Sequence, residues 1–129
     1  MGAAVTHFEI YAEDAAKLAD FYRQIFDWKI EKAPGVDYFR IETGAPALQS
    51  IGGGLLYRPV QGPRSWVHYV RVQSVDNTIE RVQSLGGRVV RGKDAVPKTA
   101  WCAILEDPQG NIFGVYELDP TAMPTPEPD

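Results

Sequence analysis

The strongest constraint on what this chain can fold into is an internal repeat, with a period of about 60 residues. Val5 to Ala12 is rich in aromatic and β-branched residues and reads as a strand. Asp14 stands where a helix N-cap belongs, and Leu18, Phe21, Tyr22, Ile25 and Phe26 follow at helical spacing as one apolar face. Three strands are expected next, at Trp28–Lys32, Asp37–Thr43 and Ile51–Tyr57. In the second of them Tyr38, Arg40 and Glu42 alternate with Phe39 and Ile41. Two prolines and a glycine mark residues 59–64 as a linker. The order then recurs. Ser65–Val72 reads as a strand, Ser74 caps a helix with the stripe Ile79, Val82 and Leu85, and Gly86-Gly87 ends it. Arg88–Arg91 is a short strand, Ala100–Glu106 another, Asp107 to Gly110 a tight turn, and Asn111–Leu118 the last strand. One such half would leave a sheet face uncovered, so pairing the halves is the natural route to a core.

The expected organisation is a single domain over 1–119, with module one at 4–58 and module two at 65–118. Residues 120–129 form a tail with four prolines and little apolar surface. The single cysteine, Cys102, cannot form an internal disulfide. No apolar run approaches the roughly 20 residues that span a membrane, and no basic-then-apolar leader opens the chain, so the expected compartment is the cytoplasm. The formal charge is −4, with no Lys/Arg cluster interleaved with aromatics. That argues against a nucleic-acid partner and against an anionic membrane surface.

Four stretches in order carry a family resemblance: His7-Phe-Glu-Ile10, Phe21-Tyr-Arg-Gln-Ile-Phe-Asp-Trp28, Ser84-Leu-Gly-Gly87 and Asp107-Pro-Gln-Gly-Asn-Ile-Phe-Gly114. From Val5 to Leu118 the chain resembles the vicinal-oxygen-chelate superfamily of glyoxalase I, bleomycin-resistance proteins and extradiol dioxygenases. The resemblance implies an α+β fold: two βαβββ modules whose mixed sheets curl into a cup-shaped half-barrel, with the helices outside and a small-molecule ligand in the concave face. It also implies a homodimer.

Metal-dependent members of that superfamily hold a divalent ion with a His, Glu or Gln from the first and last strand of each module. His7 matches the first of these positions, but the others fall on Val67, Gly114 and the neighbourhood of Gly54. His68 and Glu117 have the opposite strand parity, so His68 is expected in the core and Glu117 at a strand end. Gln49 lies nearby but in a loop. One imidazole cannot hold a divalent ion selectively, so no cofactor is expected. A divalent metal is the alternative, with His7, His68 and Glu117 as ligands if a bulge shifts the register.

Two glycines where bulkier ligands are usual should enlarge the cup and make it less polar. The expected lining is Leu56, Val67, Tyr69, Arg71, Ile112, Gly114 and Tyr116, with Trp101 and Arg40 at the rim. His7 and Glu9 share a face two residues apart, and the carboxylate could raise the imidazole pKa, which would make them an acid/base pair. Arg71 suits a ligand carboxylate or phosphate. Cys102 reads as a small buried apolar residue. The leading expectation is a metal-independent protein that binds a small organic molecule. The alternatives are a metal-free isomerase or lyase using His7 and Glu9, a metal-dependent glyoxalase-type lyase, and an interaction domain with a vestigial cup.

Overall fold

The structure is a computed structural model and describes residues 2–44, 50–57 and 65–124. The expected linker, Gln49 and the end of the tail lie outside the described residues. The fold is α+β, in the order the repeat predicts. First come β1 (Val5–Ala12), α1 (Ala15–Phe26), β2 (Lys29–Lys32), β3 (Tyr38–Glu42) and β4 (Gly52–Tyr57). Then come β5 (Trp66–Arg71), α2 (Val75–Ser84), β6 (Arg88–Val96), β7 (Ala100–Glu106) and β8 (Ile112–Leu118). Compactness divides the chain into Thr6–His68 and a second unit of Met1–Val5 with Tyr69–Asp129, so the division falls within β5.

In the first unit the strand order is β2-β3-β4-β1, with β1 parallel to β4 and the other pairs antiparallel. Phe8, Ile10 and Ala12 of β1 join Ile30, Phe39, Ile41 and Leu55 in a core beneath α1. Asp14 caps that helix, its carboxylate accepting from Lys17 N at 3.0 Å. Of the expected apolar stripe, Leu18 and Tyr22 pack against this core and the other three residues do not. Ala15 and Ala19 are buried on the sheet, whereas Phe21, Ile25 and Phe26 are each more than half exposed. Periodicity gives the width of an apolar stripe but not which edge of it meets the sheet. Here the small alanines allow close approach, and the Arg23 guanidinium ties the helix to Ile30 O at 2.7 Å.

In the second unit the order is β5-β8-β7-β6, with β5 parallel to β8. Val75, Ala103, Leu105 and Val115 form its core, with Ile79 and Val82 of α2 packed against it. Ser74 Oγ accepts from Asn77 N at 3.1 Å, as an N-cap does. Leu85 is not part of the helix stripe: α2 stops at Ser84, and Leu85 is exposed at the C-cap before Gly86 at φ +94°. β6 runs five residues past the expected end at Arg91, with register shifts between Val89 and Arg91 and between Arg91 and Asp94. Such bulges erase the two-residue alternation by which a strand is read. The Asp107 turn forms as expected, its carboxylate accepting from Asn111 N, Asn111 Nδ2 and Gln109 N. Among the described residues no helix is long and apolar enough to cross a membrane.

Candidate functional site

In the first unit, strand alternation sorts β1 into two faces. Phe8, Ile10 and Ala12 meet the helix; His7, Glu9 and Tyr11 point the other way. Glu9 pairs in register with Gly54 of β4, and Gly54 with Arg40 of β3. Tyr11 Oη donates to Glu9 Oε1 at 3.1 Å. Tyr38, also on this face, lies across Gly54: a side chain there would run into the Tyr38 hydroxyl and ring.

The charges on this face work against one another. Burial holds the His7 imidazole below its ordinary pKa, and the Glu9 carboxylate opposes that without reversing it. The expected upward shift is therefore corrected, because desolvation outweighs the charge. Burial first, then the negative charge of Glu9, pushes the Tyr38 phenol up to about 12. At neutral pH the face presents a neutral imidazole, which can accept a proton, and a phenol that stays a hydrogen-bond donor.

In the second unit Tyr69 is buried and stands directly opposite Gly114, with Arg71 opposite Tyr116. A Cβ at Gly114 would lie 2.5 Å from Tyr69 Cδ1 and Cε1. Tyr69 and Tyr116 meet edge to face, their ring centroids 6.4 Å apart. Cys102 pairs with Tyr116 and Ile104 with Gly114. Cys102 is half-buried on this face, not sealed in the core as expected. Neither glycine leaves the open space anticipated for it; each seats a tyrosine ring.

Among the other residues expected at the site, Val67 is buried, Leu56 half-buried, and Ile112, Arg71 and Arg40 exposed. Trp101 does not share the face of Gly114 and Tyr116. Its ring packs against the α2-side core, its Nε1 donates to Asp119 Oδ2 at 3.0 Å, and Lys93 Nζ sits 4.5 Å from its centroid. A one-residue difference in parity decides this. His68 is corrected too: it is exposed, not in the core, although Val70 and Val72, which share its strand parity, pack against the α2-side core as expected. Sequence reasoning missed Tyr11 and Tyr38, although their parity with Glu9 and Arg40 was available as a signal.

No three His, Cys, Asp or Glu among the described residues form a group that could hold a metal ion. The two reserve ligands are placed elsewhere. His68 is exposed, and Glu117 Oε1 accepts from Val75 N at 2.9 Å, on the face that carries Val115 toward α2. A surface hollow of about 370 Å³ near the start of α1, beside Glu13, Asp14, Lys32 and Asp37, contains none of the expected site residues.

Two βαβββ modules, each with a helix on one sheet face and a polar-aromatic opposite face, define a protein of the glyoxalase-like class. The chain belongs to the glyoxalase-like domain family, whose profile matches residues 7–116. It is 32% identical over 92 residues to proteins named "Putative glyoxylase CFP32" from Mycobacterium tuberculosis and Mycobacterium bovis, covering 70% of this chain. The match covers 34% of each of those relatives, about a third of their length. Solved structures share the fold. A hypothetical protein from Bacillus halodurans matches at TM-score 0.63 and 15% identity, over 95% of this chain and 99% of its own. Methylmalonyl-CoA epimerase from Mycobacterium tuberculosis matches at 0.59 and 14%, over 90% and 88%. Homoprotocatechuate 2,3-dioxygenase from B. fuscum matches at 0.62 and 20%, over 94% of this chain and 33% of its own.

Proposed function

We propose that this protein is a metal-independent member of its family that binds a small organic molecule against the face carrying His7, Glu9, Tyr11 and Tyr38. The supporting observation is what stands where metal ligands are usual. Gly54 and Gly114 are covered by the Tyr38 and Tyr69 rings, and Val67 offers no donor. Phenols, an imidazole and a carboxylate on an aromatic face suit orientation of an uncharged ligand by hydrogen bonds. The reading includes a single domain, a cytoplasmic location and a homodimer, with neither nucleic acid nor membrane as partner.

The test is metal content after chelation and add-back of Zn, Ni, Mn and Fe, by elemental analysis. The expected result is no stoichiometric binding. Stoichiometric metal that His7→Ala abolishes would overturn the reading and turn attention to glyoxalase-type lyase chemistry.

A second reading rests on the same face. A neutral His7 beside Glu9 is competent as a general base, which fits a metal-free isomerase or lyase. Loss of turnover in His7→Ala with ligand binding retained would favour it over sequestration.

A further inference from the structure

We propose that the second unit carries a binding site of its own for a small aryl carboxylate, with the carboxylate held by Arg71 and the ring laid against Tyr116. This site does not depend on the face carrying His7 and Glu9 or on the ligand proposed for it.

Register sets the parts in one row. Arg71 of β5 stands opposite Tyr116 of β8, Tyr116 opposite Cys102 of β7, and Cys102 opposite Asp94 of β6. Partners in register project from the same side of a sheet. Here it is the side away from Ala103 and Val115, which belong to the core under α2. Neighbouring strands lie about 4.8 Å apart, so Arg71 and Cys102, two strands from one another, are separated by roughly 10 Å, room for one substituted ring. Tyr116 is half-buried, so part of its ring is open. Tyr69, buried and seated on Gly114, meets it edge to face at 6.4 Å. A ring already held in this way loses little conformational entropy when a second ring packs on it.

The charge on this face is unbalanced at one point. The same strands bring Arg88, Arg91 and Glu106 to this side. Arg91 pairs with Asp94, and Arg88 with Glu106 at 2.6 Å. Arg71 is exposed, and among the described residues its guanidinium has no hydrogen bond or ion pair. The chain carries 17 acidic against 13 basic side chains, so a guanidinium left without a carboxylate is a local exception, open to an anion from solution. The planar fork of arginine matches a carboxylate through two parallel hydrogen bonds. With an aromatic ring as its neighbour in the row, the anion that fits carries a ring beside its carboxylate.

Cys102, the single cysteine, lies in the row and serves as reporter. The experiment follows its alkylation by uncharged iodoacetamide in the full chain, by mass spectrometry, with benzoate, acetate or benzyl alcohol added at equal concentration and ionic strength. The expected result is saturable protection by benzoate with a dissociation constant of about 1 mM, as suits a ligand of one ring. Acetate, which lacks the ring, and benzyl alcohol, which lacks the charge, should not protect at the same concentrations. Arg71→Gln should weaken benzoate at least about tenfold while melting like wild type, since the side chain is exposed. No protection by benzoate, equal protection by acetate or by benzyl alcohol, or protection that survives Arg71→Gln overturns the site. If Cys102 does not react in the folded chain, benzoate is titrated into isotope-labelled protein and followed by NMR. Saturable shifts at the Arg71 and Tyr116 amides that Arg71→Gln abolishes support the site, and their absence overturns it. Failure here leaves the function proposed for the His7 face standing, and stoichiometric metal at that face leaves this site standing.

Discussion

At residues 54 and 114, glycine is half of a glycine–tyrosine fit. Gly114 is closed over by a buried ring, so Gly114→Ala should destabilise on the order of 1–3 kcal/mol, read from urea denaturation midpoints. Gly54→Ala meets the far end of Tyr38, which can swing aside, so its cost should be smaller. Tyr38→Ala in the Gly54→Ala background should recover part of that cost, and an additive double-mutant cycle would refute the fit. His7 makes a pH prediction. Its folded pKa lies below its ordinary 6.5, so above that value its charge state costs nothing. As pH falls from 6.5 through the folded pKa, the unfolded chain takes up the proton first and stability drops. His7→Gln should therefore lose less stability than wild type between pH 7 and pH 5, measured as urea midpoints.

Among the elements, α1 separates pattern from burial. Ala19 is fully buried and Ile25 exposed. Ala19→Leu should overpack and cost about 1–3 kcal/mol, whereas Ile25→Lys should stay within about 0.5 kcal/mol in thermal melts of the monomer. Taking all five bulky residues as core-facing would forecast the opposite order. In α2 the Glu117 carboxylate accepts the N–H of buried Val75. Removing it strands that donor at the helix start, so Glu117→Ala should cost about 1–2 kcal/mol while leaving metal content unchanged. Loss of bound metal in that variant would instead restore Glu117 as a ligand. Both N-caps, Asp14 and Ser74, were legible because capping depends on three or four consecutive residues. The length of β6 was not, because its bulges break the alternation.

For the whole molecule, the repeat, element order, α+β class and family were all readable from the chain. They rest on local rules: alternation, helical spacing, caps and turns, repeated in two modules. Parity along β1 also placed His7 and Glu9 on one face, away from Phe8 and Ile10, because alternation is fixed by the pleat. Tertiary structure decided the rest. It turned α1 so that alanines meet the sheet, left His68 in solvent, directed Trp101 to the α2 side, and seated tyrosines over the glycines. Each depends on which partner lies across a sheet or beneath a helix, and so on contacts between residues far apart in the chain. The net direction of the His7 shift was decided there too, since desolvation depends on what folds over the ring and not on the neighbour two positions along.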